Sequence, residues 1–252
     1  MKPKFNLHTH TWRCGHAVGD DHEYIENAIA AGFQCIGFSE HIQYRADNGK
    51  YNRIDFEDFP QYFKDFEQLK RQYAGQIKIL CGLEAAYVPE AIQDLMELKQ
   101  YGDYIIMGHH QGGLRARKYG LSCDDDELDF YSQEIVNGIQ TGLYCIIAHP
   151  DFFMGSRDCW NDRCEKNAYR ICEAAKKYHI PLELNIKGSY SATGVVNGKD
   201  CIKYPYREFW KIAAEVGNQV LFGWDAHAPS DLFRTTERIE RIIEGLNLDI
   251  LT

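Results

Sequence analysis

Residues 4–16 read KFNLHTHTWRCGH: an apolar run from Lys4 to Leu7, long enough for one buried strand, ends in His8 and His10, with His16 six residues beyond. In a strand, residues two apart point to the same side, so His8 and His10 face one point. An HxH pair alone is weak, because ten histidines scattered through 252 residues produce one about 0.4 times by chance. The rest of the chain gives it weight. Short runs rich in Ile, Leu and Phe recur at Cys35 to Ser39, Lys78 to Leu83, Tyr104 to Met107, Tyr144 to Ala148, Pro181 to Leu184 and Gln219 to Phe222. Each is followed by a helical pattern, over Asp21 to Ala31, Phe59 to Tyr73, Pro89 to Lys99, Asp126 to Gln140, Asp162 to Tyr178, Tyr206 to Val216 and Asp231 to Glu244. Strands alternating with amphipathic helices indicate parallel strands joined by crossovers. Gly32, Gly142 and Gly217 stand where helices should stop, and Asp20 and Ser230 where they can be capped.

The polar residues choose between an open sheet and a barrel. His8 and His10 end strand one, His41 strand two and Glu84 strand three; His110 follows strand four, His149 strand five, and Asp225 and His227 strand seven. All lie at carboxyl ends. A β/α barrel gathers those ends on one rim, where active sites are built, whereas an open sheet spreads them in a row. The expectation is a distorted (β/α)7 barrel, α/β in class and resembling a TIM barrel one unit short, with residues 1–252 forming one domain.

Bulk properties are those of a soluble globular protein. The chain is 44% hydrophobic and 26% charged, and no Pro-, Gly- or Ser-rich linker divides it. The net charge of −9 argues against a nucleic-acid partner, which requires a basic face. The opening MKPKFNLHTH lacks the apolar run of a signal peptide, and no stretch reaches the roughly 18 apolar residues of a membrane span; a cytoplasmic location and no membrane partner are expected. Nine cysteines without a CxxC read as reduced thiols, with Cys35, Cys81 and Cys145 buried in strands. The oligomeric state is not legible.

HTH with a third His six residues on, SEH at strand two, Glu84 after strand three, and the segments AHPD and DAH together resemble the PHP (polymerase and histidinol phosphatase) superfamily across nearly the whole chain. GLEAAY, IMGHH, AHPDFF, LELN, YPYREFW and GWDAH are closest to its histidinol phosphate phosphatases. The resemblance implies a distorted seven-stranded barrel around three divalent metals, with zinc, manganese and iron all suited to the nitrogen and oxygen donors. It implies that His8, His10, Glu84 and Asp225 hold one metal, Glu84, His110 and His149 a second, and His16, His41 and His227 a third. At strand four, Met107-Gly108-His109-His110 leaves His109 as an alternative to His110. The implied reaction is hydrolysis of a small phosphomonoester, L-histidinol phosphate, to L-histidinol and phosphate in histidine biosynthesis. A phosphodiesterase or exonuclease is the first rival, and a noncatalytic metal-stabilised module, which should lack ligands, the second.

Charge explains why such a set would hydrolyse a phosphate. Three divalent ions outweigh Glu84, Asp225 and one bridging hydroxide, so a phosphate dianion is attracted, and the hydroxide is the nucleophile. Asp225 or His227 would protonate the leaving alkoxide. Arg157 and Arg207 are placed to bind phosphate, with Lys187 and Arg117 as further candidates. Residues 43–58, with Tyr44, Arg45, Asp47 and Tyr51, form either a lid or a polar surface loop, and Asp47 or the Asp124 to Glu127 run is a candidate partner for a substrate amine. Glu183 and Asn185 end strand six at the same rim, in either a supporting or a purely structural role.

Overall fold

The computed structural model describes residues 3–47, 53–112 and 117–252. Its centre is a curled, parallel eight-stranded sheet in the order β1 (Phe5–Asn6), β2 (Cys35–His41), β3 (Lys78–Glu84), β4 (Tyr104–Met107), β7 (Ile146–Ile147), β8 (Leu182–Asn185), β11 (Gln219–Gly223) and β12 (Asp249–Ile250). Hairpins β5 (Gln111–Gly112) with β6 (Arg117–Lys118), and β9 (Thr193–Val196) with β10 (Lys199–Ile202), stand outside it. All seven expected strands are present. β12 is additional, pairing with Gln219 and Val220 at the start of β11.

Beyond the ends of β1 and β11, Thr9 and Ala226 form a parallel bridge: the His10 N–H donates to the Ala226 carbonyl (2.9 Å) and the Ala226 N–H to that of His8 (3.2 Å). The ring is therefore joined at the carboxyl-end rim. At the opposite end Leu251, just past β12, packs with Phe5 and Leu7 against Ile106, Ile146, Ala148 and Leu221, the barrel interior. Tyr104 lies against Gly37 and Gly82, leaving no room for a side chain at either, and its hydroxyl donates to the Leu7 carbonyl (2.8 Å).

The helices α1 (Asp21–Ala31), α2 (Phe59–Gln72), α3 (Ile92–Leu98), α4 (Asp125–Gln140), α5 (Asp162–Lys177), α6 (Ile186–Ser191), α7 (Arg207–Val216) and α8 (Glu237–Ile242) bury apolar faces against the larger core. Reciprocal caps start α1 (Asp20 with Glu23) and α4 (Asp124 with Glu127), so the Asp124 to Glu127 run serves a helix end. Left-handed Gly32 and Gly217 end α1 and α7.

Three expectations change. The helix expected from Asp231 to Glu244 is broken into a 3-10 turn, Pro229–Phe233, and α8. Ser230 lies inside that turn, where the Asp231 carboxylate accepts from the His227 and Ala228 amides (2.9 and 3.1 Å), a local bond that competes with helix formation. α3 begins only after a separate 3-10 turn at Pro89–Ala91. All nine cysteines are free, and Cys81 is buried, but Cys35 is half-buried and Cys145 exposed, because each stands at the outer start of its strand. Among the described residues no helix is long and apolar enough to cross a membrane.

Candidate metal centre

The rim gathers side chains from every side of the barrel. His41 and Glu84 are the last residues of β2 and β3 and lie opposite each other in register. His8 and His10 flank Thr9, and Asp225 and His227 flank Ala226, so one backbone bridge aims four polar side chains at the same space. Asp225 and His149 adopt left-handed backbone angles (φ 46° and 30°), costly for residues with a β-carbon and found where surrounding structure holds a site in place.

Glu84, 1% exposed, is the hub. Its Oε2 lies 3.2 Å from Nε2 of His8, 3.1 Å from Nε2 of His10 and 3.1 Å from Nδ1 of His41; its Oε1 lies 3.2 Å from Nε2 of His149 and 3.6 Å from Nε2 of His110. Asp225 Oδ1 is 3.6 Å from Nε2 of both His8 and His10 and 3.2 Å from Nδ1 of His227. The His8 and His10 Nε2 atoms face each other at 3.1 Å, as do those of His16 and His227 at 3.0 Å. Imidazole nitrogens turned toward one another and toward carboxylates are satisfied by a shared cation, and both donor types suit divalent metals. Donor atoms converge in the groups His8, His10 and Asp225; His8, Glu84 and His149; and His16, His41 and His227. The chemistry of the donor set therefore fits a multinuclear metal cluster.

Protonation follows the same logic. Burial opposes the charge on Glu84, but His41, His8 and His110 overcome it and hold the carboxyl well below its ordinary range. Burial likewise acts against Asp225, and Lys187, His8 and His227 overcome it. Burial keeps His41 and His110 far below the usual imidazole value. For His8 burial is outweighed by Glu183, Asp225 and Glu84, which raise it: the carboxylates call for positive charge.

His109 and His110 part company. His110 turns into the cluster, whereas His109 Nε2 pairs with Glu134 (2.8 Å) behind it, between Tyr119 and Tyr131. The two proposed phosphate-binding arginines are not brought to the rim centre. Arg157 donates to the Cys123 carbonyl (2.7 Å) and pairs with Asp125 (2.6 Å), tying its loop to the start of α4. Arg207 bonds the carbonyls of Ile242 and Glu244 at the end of α8. In both, acceptors at a helix end take up the guanidinium's donors. Lys187 brings a cation to the cluster, with Nζ 3.0 Å from Nδ1 of His227 and 3.5 Å from Oδ1 of Asp225, and the charge of Arg53 also acts on His41 and His110.

Tyr44 donates to the Ala86 carbonyl and Arg45 pairs with Asp94 and Glu97, so this part of residues 43–58 is fastened to the protein surface; Tyr51 lies outside the described residues, as do the side-chain contacts of Arg117. Phe152 flanks the cluster, its ring 5.1 Å from that of His110 and 5.2 Å from that of His149. Sequence reasoning passed over Asp151, whose buried carboxylate accepts from the Tyr206 amide (2.6 Å) and Trp210 Nε1 (3.0 Å) and so anchors α7 beside His149. The Asp beside the rim histidine was visible; its partners were not.

Comparison with known proteins agrees with this geometry. Residues 6–187 match the PHP domain family. A probable histidinol-phosphatase of Schizosaccharomyces pombe is 32% identical over 256 residues, covering 88% of this chain and 80% of that protein. Another, from Deinococcus radiodurans, is 25% identical over 248 residues and covers 93% and 91%. The crystal structure of histidinol phosphate phosphatase from Lactococcus lactis, complexed with zinc, L-histidinol and phosphate, superposes with a TM-score of 0.73 at 18% identity, covering 98% and 95%.

Proposed function

The chain belongs to the PHP domain family, and from that footing we propose that it is a metal-dependent phosphomonoester hydrolase that converts L-histidinol phosphate and water to L-histidinol and phosphate. The observation that carries this reading is the convergence of five imidazoles on Glu84, in a chain whose relatives include probable histidinol-phosphatases. His8, His10, Glu84 and Asp225 hold one divalent ion; Glu84, His110 and His149 a second; His16, His41 and His227 a third. When bound, such ions supply a water nucleophile active near neutral pH and positive charge for phosphoryl oxygens.

The protein's own groups do the rest. Lys187, whose side chain is 33% exposed, binds a phosphate oxygen through Nζ. His227 Nδ1–H donates to the Asp225 carbonyl (2.9 Å), which leaves Nε2 facing His16. Asp225 or His227, whose Oδ1 and Nδ1 lie 3.2 Å apart beside the cluster, delivers to the leaving alkoxide the proton that attacking water releases. Phe152 presents an apolar face to the organic part of the substrate.

The test is to strip the metal, restore zinc, manganese or iron separately, and measure phosphate release from histidinol phosphate, sugar phosphates, nucleotides and short oligonucleotides. Histidinol phosphate should be preferred by at least tenfold in kcat/KM. Preference for an oligonucleotide, or activity that survives complete metal removal, would sink the proposal.

A further inference from the structure

We propose that Glu183 is the positioning carboxylate of this cluster: it fixes His8 as the tautomer whose Nε2 faces the other donors, and it ties that ring to the neighbouring donor segments. The inference rests on the metal-centre reading above and adds to it a residue outside the donor set.

Glu183 sits in the middle of β8, points into the barrel and is 1% exposed. Its Oε1 lies 2.7 Å from Nδ1 of His8. An ionised carboxylate only accepts, so Nδ1 carries the hydrogen and the metal-facing nitrogen is Nε2. Its Oε2 accepts from the His149 amide (3.0 Å) and from Nδ2 of Asn185 (3.0 Å), and that same amide group reaches Asp225 Oδ2 at 3.3 Å. Glu183 thus braces the donors that follow β1 and β7, including His149 with its left-handed backbone, and through Asn185 the one that follows β11. The adjacent strand makes room for it: a β-carbon at Gly223 would overlap the Glu183 carboxylate. Glu40 offers a contrast. Its Oε1 is occupied by the amide and hydroxyl of Thr11 (2.7 and 2.6 Å), and its Oε2 is 3.8 Å from Nδ1 of His10, beyond hydrogen-bond range.

Glutamine cannot replace this carboxylate. With one acceptor and one donor end, the side-chain amide introduced by Glu183→Gln would set its NH2 either against Nδ1 of His8, forcing the tautomer that blocks Nε2, or against two N–H donors on the other side.

The full-length chain is tested as wild type, Glu183→Gln, His8→Ala and the double variant, by competing bound zinc against a chelator. Glu183→Gln should weaken the affected zinc by about 10–100-fold. The double variant should lose clearly less than the sum of the two single losses, because the Oε1 half of what Glu183 does acts through His8. Ring-nitrogen NMR of the zinc-loaded wild type, with His8 assigned by its loss in His8→Ala, should show hydrogen on Nδ1; this readout does not require Glu183→Gln to fold. Unchanged zinc affinity in Glu183→Gln, a full additional loss in the double variant, or a bare Nδ1 would each overturn the proposal while leaving the metal centre standing. Unchanged affinity in His8→Ala would overturn both.

Discussion

Gly108 lies directly against the Glu84 carboxylate, so close that a β-carbon there would occupy the place of Oε1. The hub of the rim therefore depends on a missing side chain one strand away, and substitution should act on the site before it acts on the fold. Gly108→Ala is expected to cost about 1–3 kcal/mol of stability from overpacking and to lower metal content sharply. Gly155→Ala, whose β-carbon would meet its nearest neighbour at an ordinary 3.5 Å, should do neither. Melting curves with metal analysis of both variants check this; a Gly108→Ala protein with a full metal complement would contradict it.

Of the phosphate-binding candidates, Lys187 stands at the cluster while Arg157 is committed to Asp125 and the Cys123 carbonyl. Lys187→Ala should reduce kcat/KM for the phosphomonoester by about tenfold to a hundredfold, the scale of losing one charged phosphate contact, with little change in melting temperature. Arg157→Ala should leave kcat/KM near wild type but lose about 1.5–3 kcal/mol, since its buried guanidinium bonds Asp125 and the Cys123 carbonyl. Steady-state kinetics beside thermal melts separate the two; the reverse pattern would restore Arg157 as a phosphate ligand.

Acid should loosen the α4–α5 layer through Asp129. Burial pushes this carboxyl up, but Asn167 and Arg163, both 2.7 Å away, more than compensate and hold it below its ordinary 3.8. A depressed acid stabilises the fold above its unfolded value and loses that contribution as pH falls through the folded one. Asp129→Asn should therefore melt lower than wild type at pH near 7, with the gap closing below about pH 4. A gap that stays constant across that range would remove the ionic explanation.

Metal should stabilise the protein by mass action. At free metal about 100 times Kd, each site filled only in the folded state contributes about 2.7 kcal/mol, so the metal-free chain should melt lower and recover stepwise on titration. His41→Ala and His110→Ala should blunt different parts of that recovery. A melting temperature indifferent to metal would show that the donors close the rim unaided.

Strand and helix positions were legible because burial imposes periodicity: Cys35, Lys78, Tyr104 and Gln219 begin strands where the apolar runs begin. The rim was legible because nearly every ligand candidate directly follows such a run. What escaped reading depends on contacts rather than on period. β12 is two residues long, too short to leave a pattern, and exists because the start of β11 has a free edge. Asp231 breaks its expected helix through bonds to the His227 and Ala228 amides. Arg157 and Arg207 were placed correctly along the chain, but the targets of their guanidiniums lie on segments remote in sequence. Glu183 was legible as a residue ending strand six at the rim, but its own segment does not reveal that its partner there is His8.

The bridge between Thr9 and Ala226 also gives the site a place in time. Its partners are more than two hundred residues apart, and long-range closures come late because their entropy must be met before their contacts form. During synthesis His8 and His10 emerge more than two hundred residues before Asp225 and His227. Tight metal capture by the complete set thus reports that the ring has closed, and a nascent chain still short of β11 holds at most a partial, weaker claim on the ion.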